Sequence, residues 1–199
     1  ITTVLAVAMI FSAPFSALGA DAAWAGGASE QWWSFGDNWV GGTVPGGIAT
    51  FNDTGVTYVV DMNGEALSVD TMVFGGAGGY EVEDLGGGGM LTVGAVNQNA
   101  TGTNAISGDL TTTGAITVSS GTLVLSGANS IGGPVNVTGG TLEITTPAAM
   151  AASTINLSGG TFQTSGLSDL VWSNGLQHYG FNANNDGFLL NLHNNGGMM

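Results

Sequence analysis

The chain has 199 residues, 36 of them glycine, with no lysine, arginine or cysteine and a formal net charge of −14. Without cationic side chains it lacks what holds a nucleic-acid phosphate backbone, a nucleotide phosphate or an anionic lipid surface. Without cysteine it lacks disulfides, thiolate metal sites and thiol nucleophiles. Only 7% of the residues are charged, against about 25% in ordinary soluble domains, yet 43% are hydrophobic, enough to form a core. Ten of the fourteen acids fall in residues 1–100, so amides and hydroxyls must keep the second half in solution. The chain begins at Ile1 rather than methionine, and both ends read as those of a piece of a longer protein.

Val4 to Phe11 is an apolar run broken by Pro14 and followed by small residues to Ala25. Its length suits the hydrophobic region of an export signal and is short for a membrane span. Residues 1–25 are therefore read as a signal peptide, with Ala20-Asp21-Ala22 and Ala23-Trp24-Ala25 as small-x-small cleavage points. The competing reading is a buried N-terminal strand or helix. No membrane insertion of the mature segment is expected.

Residues 26–85 are read as an N-terminal β cap region. Trp32, Trp33, Phe35 and Trp39 cluster at its start, either to seal the open end of a β structure or to stack on sugar rings. Short β-prone runs follow at Ile48–Phe51, Val56–Val60, Ser68–Phe74 and Tyr80–Val82, separated by Asn-, Asp- and Gly-rich turns. No segment after the signal shows a sustained helical period.

Residues 86–166 are regular. Short alternating strands recur at 115–118, 122–125, 135–137, 141–144, 154–157 and 161–164. Positions two apart share a face, which puts Ile116 and Val118, Leu123 and Leu125, Val135 and Val137, Leu142 and Ile144, and Ile155 and Leu157 on the inside. Gly-Thr recurs at Gly121, Gly140 and Gly160, nineteen and twenty residues apart. Units of this length cannot bury an apolar face alone but can when stacked, so these residues are expected to form about four coils of an all-β parallel solenoid. Residues 167–199 lack the repeat and are read as the start of a further extracellular module.

The run from Gly121 to Leu142, with Leu125-Ser-Gly-Ala-Asn129 at its centre, resembles the autotransporter-associated β-strand repeat. The stretch from Trp33 through Asn38-Trp39-Val-Gly-Gly-Thr-Val-Pro45 to Phe51 resembles the opening segment that precedes such repeats. Together the two cover roughly residues 30–165. The resemblance implies a right-handed β-helix, exported to the cell surface or beyond it as a structural or adhesive passenger. The partners it implies are cell-surface glycans or other surface proteins.

Glycoside hydrolysis needs two facing carboxylates; Glu81, Glu83 and Asp84 are the densest acids and Glu81 and Glu83 share a strand face, although acids beside Gly86 more often make a solvated turn. Asp61, Asn63 and Glu65 offer three oxygen ligands in one loop, and Asn182, Asn184 and Asp186 have the early spacing of a calcium loop. His178 and His193 are the only imidazoles, and no Gly-x-Ser-x-Gly elbow is present. With no lysine or arginine to abstract a proton from an anionic sugar or neutralise its charge, the expectation is no catalysis and no cofactor. The alternative is a carbohydrate-binding or carbohydrate-cleaving β-helix, using Trp32, Trp33 and Trp39 or the acids.

Overall fold

The computed structural model describes residues 19–146, Ala149 and 154–165, together with the backbone of three further strands as far as Leu192. The described chain is nearly all β. Its helical content is confined to 3-10 turns, such as Gly36–Asn38. Apart from the last strands and an isolated bridge between Trp24 and Trp39, the pairing is parallel.

Three flat faces form a rod. The first stacks Ile48–Phe51 on the later half of Ala66–Phe74, then the later half of Met90–Gln98, Ile116–Val118, Val135–Val137 and Thr154–Leu157. The second stacks Val59–Asp61, Glu81–Glu83, Thr103–Ile106, Thr122–Leu125, Thr141–Ile144 and Thr161–Thr164 into a six-stranded sheet. The third is built from the leading halves of the two nine-residue strands, followed by Asp109–Thr112 and Ser130–Ile131. Each circuit visits all three faces before climbing one rung, which is the parallel β-solenoid expected from the sequence.

The period is written in the register. Thr103, Thr122, Thr141 and Thr161 lie in line, nineteen, nineteen and twenty residues apart. The earlier coils are longer: Val59 aligns with Glu81, and Glu81 with Ala105, giving steps of twenty-two and twenty-four. The extra residues sit in the turns Met62–Glu65 and Gly86–Gly89, so the solenoid continues upstream of Gly86 through the segment read as a cap region.

The Gly-Thr recurrence has a steric cause. A Cβ on Gly121 would lie 2.2 Å from the Gly102 carbonyl oxygen, one on Gly140 2.7 Å from that of Gly121, and one on Gly160 2.3 Å from that of Gly140. The backbone of each coil touches its neighbour at this corner, and any side chain would hold the rungs apart. Inside, every alternating residue named above is buried except Leu157, which packs partly buried against the core.

Asn129, the amide of the Leu-Ser-Gly-Ala-Asn run, turns inward at another corner. Its Oδ1 accepts from the Leu110 amide below at 3.1 Å, and its Nδ2 donates to the Ala149 carbonyl above at 3.1 Å. One side chain thus satisfies backbone groups of two neighbouring coils, which would otherwise be buried unpaired.

The first rung begins inside the segment read as a leader. Ala22–Ala23 pairs with Ala49 and Thr50, Asp21 Oδ1 accepts from the Ile48 amide at 2.8 Å, and Trp24 is wholly buried. At the other end, Gly187–Leu192 pairs parallel with Thr154–Leu157, after which the order turns antiparallel through His178–Phe181 and Leu170–Trp172. The calcium-like triplet Asn182, Asn184 and Asp186 lies outside the described residues, as does His193, and of His178 only the backbone is described.

Candidate functional site

Two places hold the side chains singled out by the sequence: the N-terminal end of the rod and the acidic turn beside it. At the end, residues 24–42 fold across the open core. Asn38, fully buried, organises the crossing: its Nδ2 donates to the carbonyls of Glu30 (2.7 Å) and Trp32 (3.0 Å), and its Oδ1 accepts from the Ala28 amide (2.9 Å). Trp39 meets Trp24 edge-on at 5.1 Å and Trp33 at 5.0 Å, and lies 5.8 Å from Phe51. Phe51 stacks on Phe74 at 5.3 Å, carrying the aromatic plug into the second coil. The indole N–H groups are satisfied, Trp24 to the Thr57 carbonyl at 3.0 Å and Trp39 to the Trp33 carbonyl at 2.7 Å.

Trp33 and Trp39 are 1% and 2% exposed, so neither presents a ring face to a sugar; both seal the rod. Trp32 differs. It is half-buried, lies against Phe35 at 4.8 Å, and with that 38%-exposed ring forms a small outward aromatic patch. Trp24 was missed as a member of the plug because its small-residue surroundings resemble a cleavage site.

In the acidic turn the carboxylates hold backbone. Asp61 Oδ1 accepts from the amides of Asn63 (2.8 Å) and Leu85 (3.0 Å). Asp84 accepts from Gly64 (2.6 Å) and Gly89 (2.7 Å) through separate oxygens, and Glu65 accepts from the Ser34 hydroxyl at 2.8 Å. Asn63 and Gly64 have φ of 52° and 73°, the left-handed pair of a tight turn that asparagine and glycine tolerate best. One oxygen of each calcium candidate is thus engaged within the fold, that of Asp61 by its own turn and the next coil and that of Glu65 by the N-terminal crossing. Among the described residues no three acidic or imidazole groups converge as a metal site.

Glu81 and Glu83 flank the buried Val82 and point outward from the same sheet face. Glycoside hydrolysis places its two carboxyl groups on opposite sides of the scissile bond, which two neighbours on one flat strand do not do. Burial, with the nearby charges of Glu81 and then Asp61, raises the Glu83 carboxyl from its ordinary value. A raised carboxyl binds its proton more tightly in the folded state, so stability falls as pH rises through the folded value and is recovered on acidification. The thermal midpoint should therefore rise as the pH is lowered from 7 toward the ordinary carboxylate value of 4.5, and Glu83→Gln should remove part of that rise while stabilising the protein at pH 7. A midpoint for Glu83→Gln below that of the parent at pH 7 would refute this account.

Residues 119–144 match the family model of the Passenger-associated-transport-repeat. The matched stretch is one circuit of the rod, from the corner before Gly121 through Thr122–Leu125, Ser130–Ile131 and Val135–Val137 to Thr141–Ile144. No curated protein and no solved structure matches the chain. The architecture defines a parallel β-solenoid whose sealed end is its N-terminus. The repeat match and the solenoid together fit a segment of an autotransporter passenger β-helix.

Proposed function

We propose that this chain is a structural passenger segment, exported to the bacterial cell surface or beyond it, with adhesion rather than catalysis as its task. The observation that carries this reading is the in-register ladder of nineteen- and twenty-residue coils that contains the matched repeat. Such a rod supplies length and lateral surface, and its buried polar groups are spent on holding coils together.

The leader, on this reading, ends upstream of Asp21. Ala17-Leu18-Gly19 has the small-x-small form, and cleavage after Gly19 retains the Ala20 carbonyl that accepts from the amides of Gly46 and Gly47 at 3.1 Å. Cleavage after Ala22 or Ala25 would instead remove Asp21 and part or all of the first rung. The test is to express the chain in bacteria with a basic start ahead of Ile1, as signal peptides require, and to sequence the N-terminus of the exported product. Ala20 is the expected first residue. Retention in the cytoplasm would overturn export, and a start at Ala23 or Gly26 would overturn the boundary.

A second reading, carbohydrate binding, is favoured by one observation only, the outward Trp32–Phe35 pair. A defined sugar preference on a glycan array, abolished by Trp32→Ala, would decide for it.

A further inference from the structure

Asp61 keeps one oxygen unused. Its side chain is 7% exposed, and both amides it serves, those of Asn63 and Leu85, donate to Oδ1. Oδ2 takes no hydrogen bond among the described residues. Nor is Oδ2 sealed in, since Thr112 Oγ1 is the one wholly enclosed and unpaired side-chain atom among those residues. A carboxylate more than nine-tenths buried, with one bare oxygen turned to the surface, is a costly arrangement that a bound donor relieves.

The register shows what borders that oxygen. Trp32 pairs with Asp61 in a parallel bridge, and Asp61 aligns with Glu83 on the next rung. Trp33, Val60 and Val82 are buried inside. By alternation Trp32, Asp61 and Glu83 therefore form one outward column on the second face, with neighbours ~4.8 Å apart. Phe35 lies against Trp32 at 4.8 Å, and Ser34 holds Glu65 through Oε1 at 2.8 Å. Neither Oε2 of Glu65 nor the Glu83 carboxylate takes a hydrogen bond among the described residues. Burial, then the charges of Glu81 and Asp61, raise the Glu83 carboxyl, and a bound cation would relieve that repulsion.

We propose that this column docks an arginine side chain of a protein partner, its guanidinium laid against the Trp32 ring and donating to Asp61 Oδ2 and Glu83. The lining selects that group. Among the described residues no three acidic or imidazole groups converge on a metal ion, so the free oxygens suit a larger cation with several donors. A guanidinium is planar and weakly hydrated, stacks on aromatic faces and presents five N–H donors. An ammonium is a compact, strongly hydrated point charge that fills fewer of these roles. The chain has no arginine, so none of its side chains, in its own copy or another, supplies the guanidinium. Meeting the partner at a cell surface rests on the passenger reading; the site itself does not.

The test is to titrate the isotope-labelled chain with acetyl-Gly-Arg-Gly-amide and with its lysine counterpart, followed by NMR. At 0.15 M salt, charges more than about 8 Å apart are largely screened, which suppresses attraction by the acidic molecule as a whole. Shifts should centre on the Trp32 indole N–H and the amides of Asp61 and Glu83, with the arginine peptide binding about five-fold or more tighter than the lysine peptide. Trp32→Leu and Glu83→Gln should each weaken arginine binding by about ten-fold. Glu83→Gln is expected to stabilise the fold, so lost binding in that variant is not lost structure. Glu143→Gln makes the same charge change three rungs beyond Glu81 on the same face, ~14 Å away, and should leave binding unchanged. The proposal is overturned if shifts spread over the acids along the rod, if Glu143→Gln acts like Glu83→Gln, or if the two peptides bind alike. A neutral oligosaccharide that shifts the Trp32 indole where the arginine peptide does not would assign the ring to a glycan and equally overturn it. All these readouts come from the folded chain in solution, so a failure of export leaves them standing.

Discussion

Leu142→Asp is expected to unfold at least the coils on either side of it. Leu142 is fully buried, aligned with Leu123 on the rung below and Phe162 on the rung above. The substitution forfeits about 1.5–3 kcal/mol of apolar burial and sets a carboxylate among stacked hydrocarbons. No lysine or arginine exists anywhere in the chain to pair with it, and an uncompensated buried charge costs several kcal/mol more. Its neighbour Glu143 points outward, accepting hydrogen bonds from Gln163 Nε2 at 2.9 Å and from the Ser165 hydroxyl. Glu143→Ser should therefore change stability by no more than about 0.5 kcal/mol, as surface substitutions usually do. Thermal melts of the two variants, followed by far-UV circular dichroism, make the comparison. If Glu143→Ser were the more damaging change, the strand register would be wrong and the solenoid with it.

The second large effect is expected at the sealed end. Trp39 touches Trp24, Trp33 and Phe51, and its indole N–H is satisfied by the Trp33 carbonyl. Trp39→Ala removes the centre of the plug and should destabilise the protein by about 3–5 kcal/mol, the range for large aromatic truncations in cores. Trp32→Ala removes one half-exposed ring and its pairing with Phe35, worth about 0.5–1.5 kcal/mol. Urea unfolding of the two variants separates the roles. Equal loss would mean that the end is sealed by something other than Trp39 and its neighbours.

The coils after Gly86 were legible in the sequence because two constraints act on every rung there. Alternation places Leu123 and Leu125 inside, and the touching corner admits only glycine at Gly121, Gly140 and Gly160. Upstream the same ladder is present, but steps of twenty-two and twenty-four residues blur the period, and surplus glycines in the turns hide it. The third face escaped notice for a related reason: its strands shrink to Ser130–Ile131, too short to show alternation. Buried amides were equally hard to see. Gln98 and Asn104 carry no pattern that marks them as core, yet Asn104 Nδ2 donates to Gln98 Oε1 at 2.9 Å inside the core, and Asn104 Oδ1 accepts from the Tyr80 amide. A polar residue that turns inward to satisfy backbone leaves no hydrophobic trace in its own segment. The aromatic cluster was legible as a cluster, but which rings seal and which one faces out depends on the crossing held by Asn38.

Strands perpendicular to the long axis also decide how the rod bears a load. Tension between its two ends pulls across the rungs, so the backbone hydrogen bonds open in sequence as a zipper does. Each regular coil that peels away gives up one rung of ~4.8 Å and releases about 19 residues, some 60 Å of extended chain. The rod thus lengthens more than ten-fold locally for every coil lost, while the rest stays paired. Pulled along its axis, the described rod would therefore yield in steps of one coil.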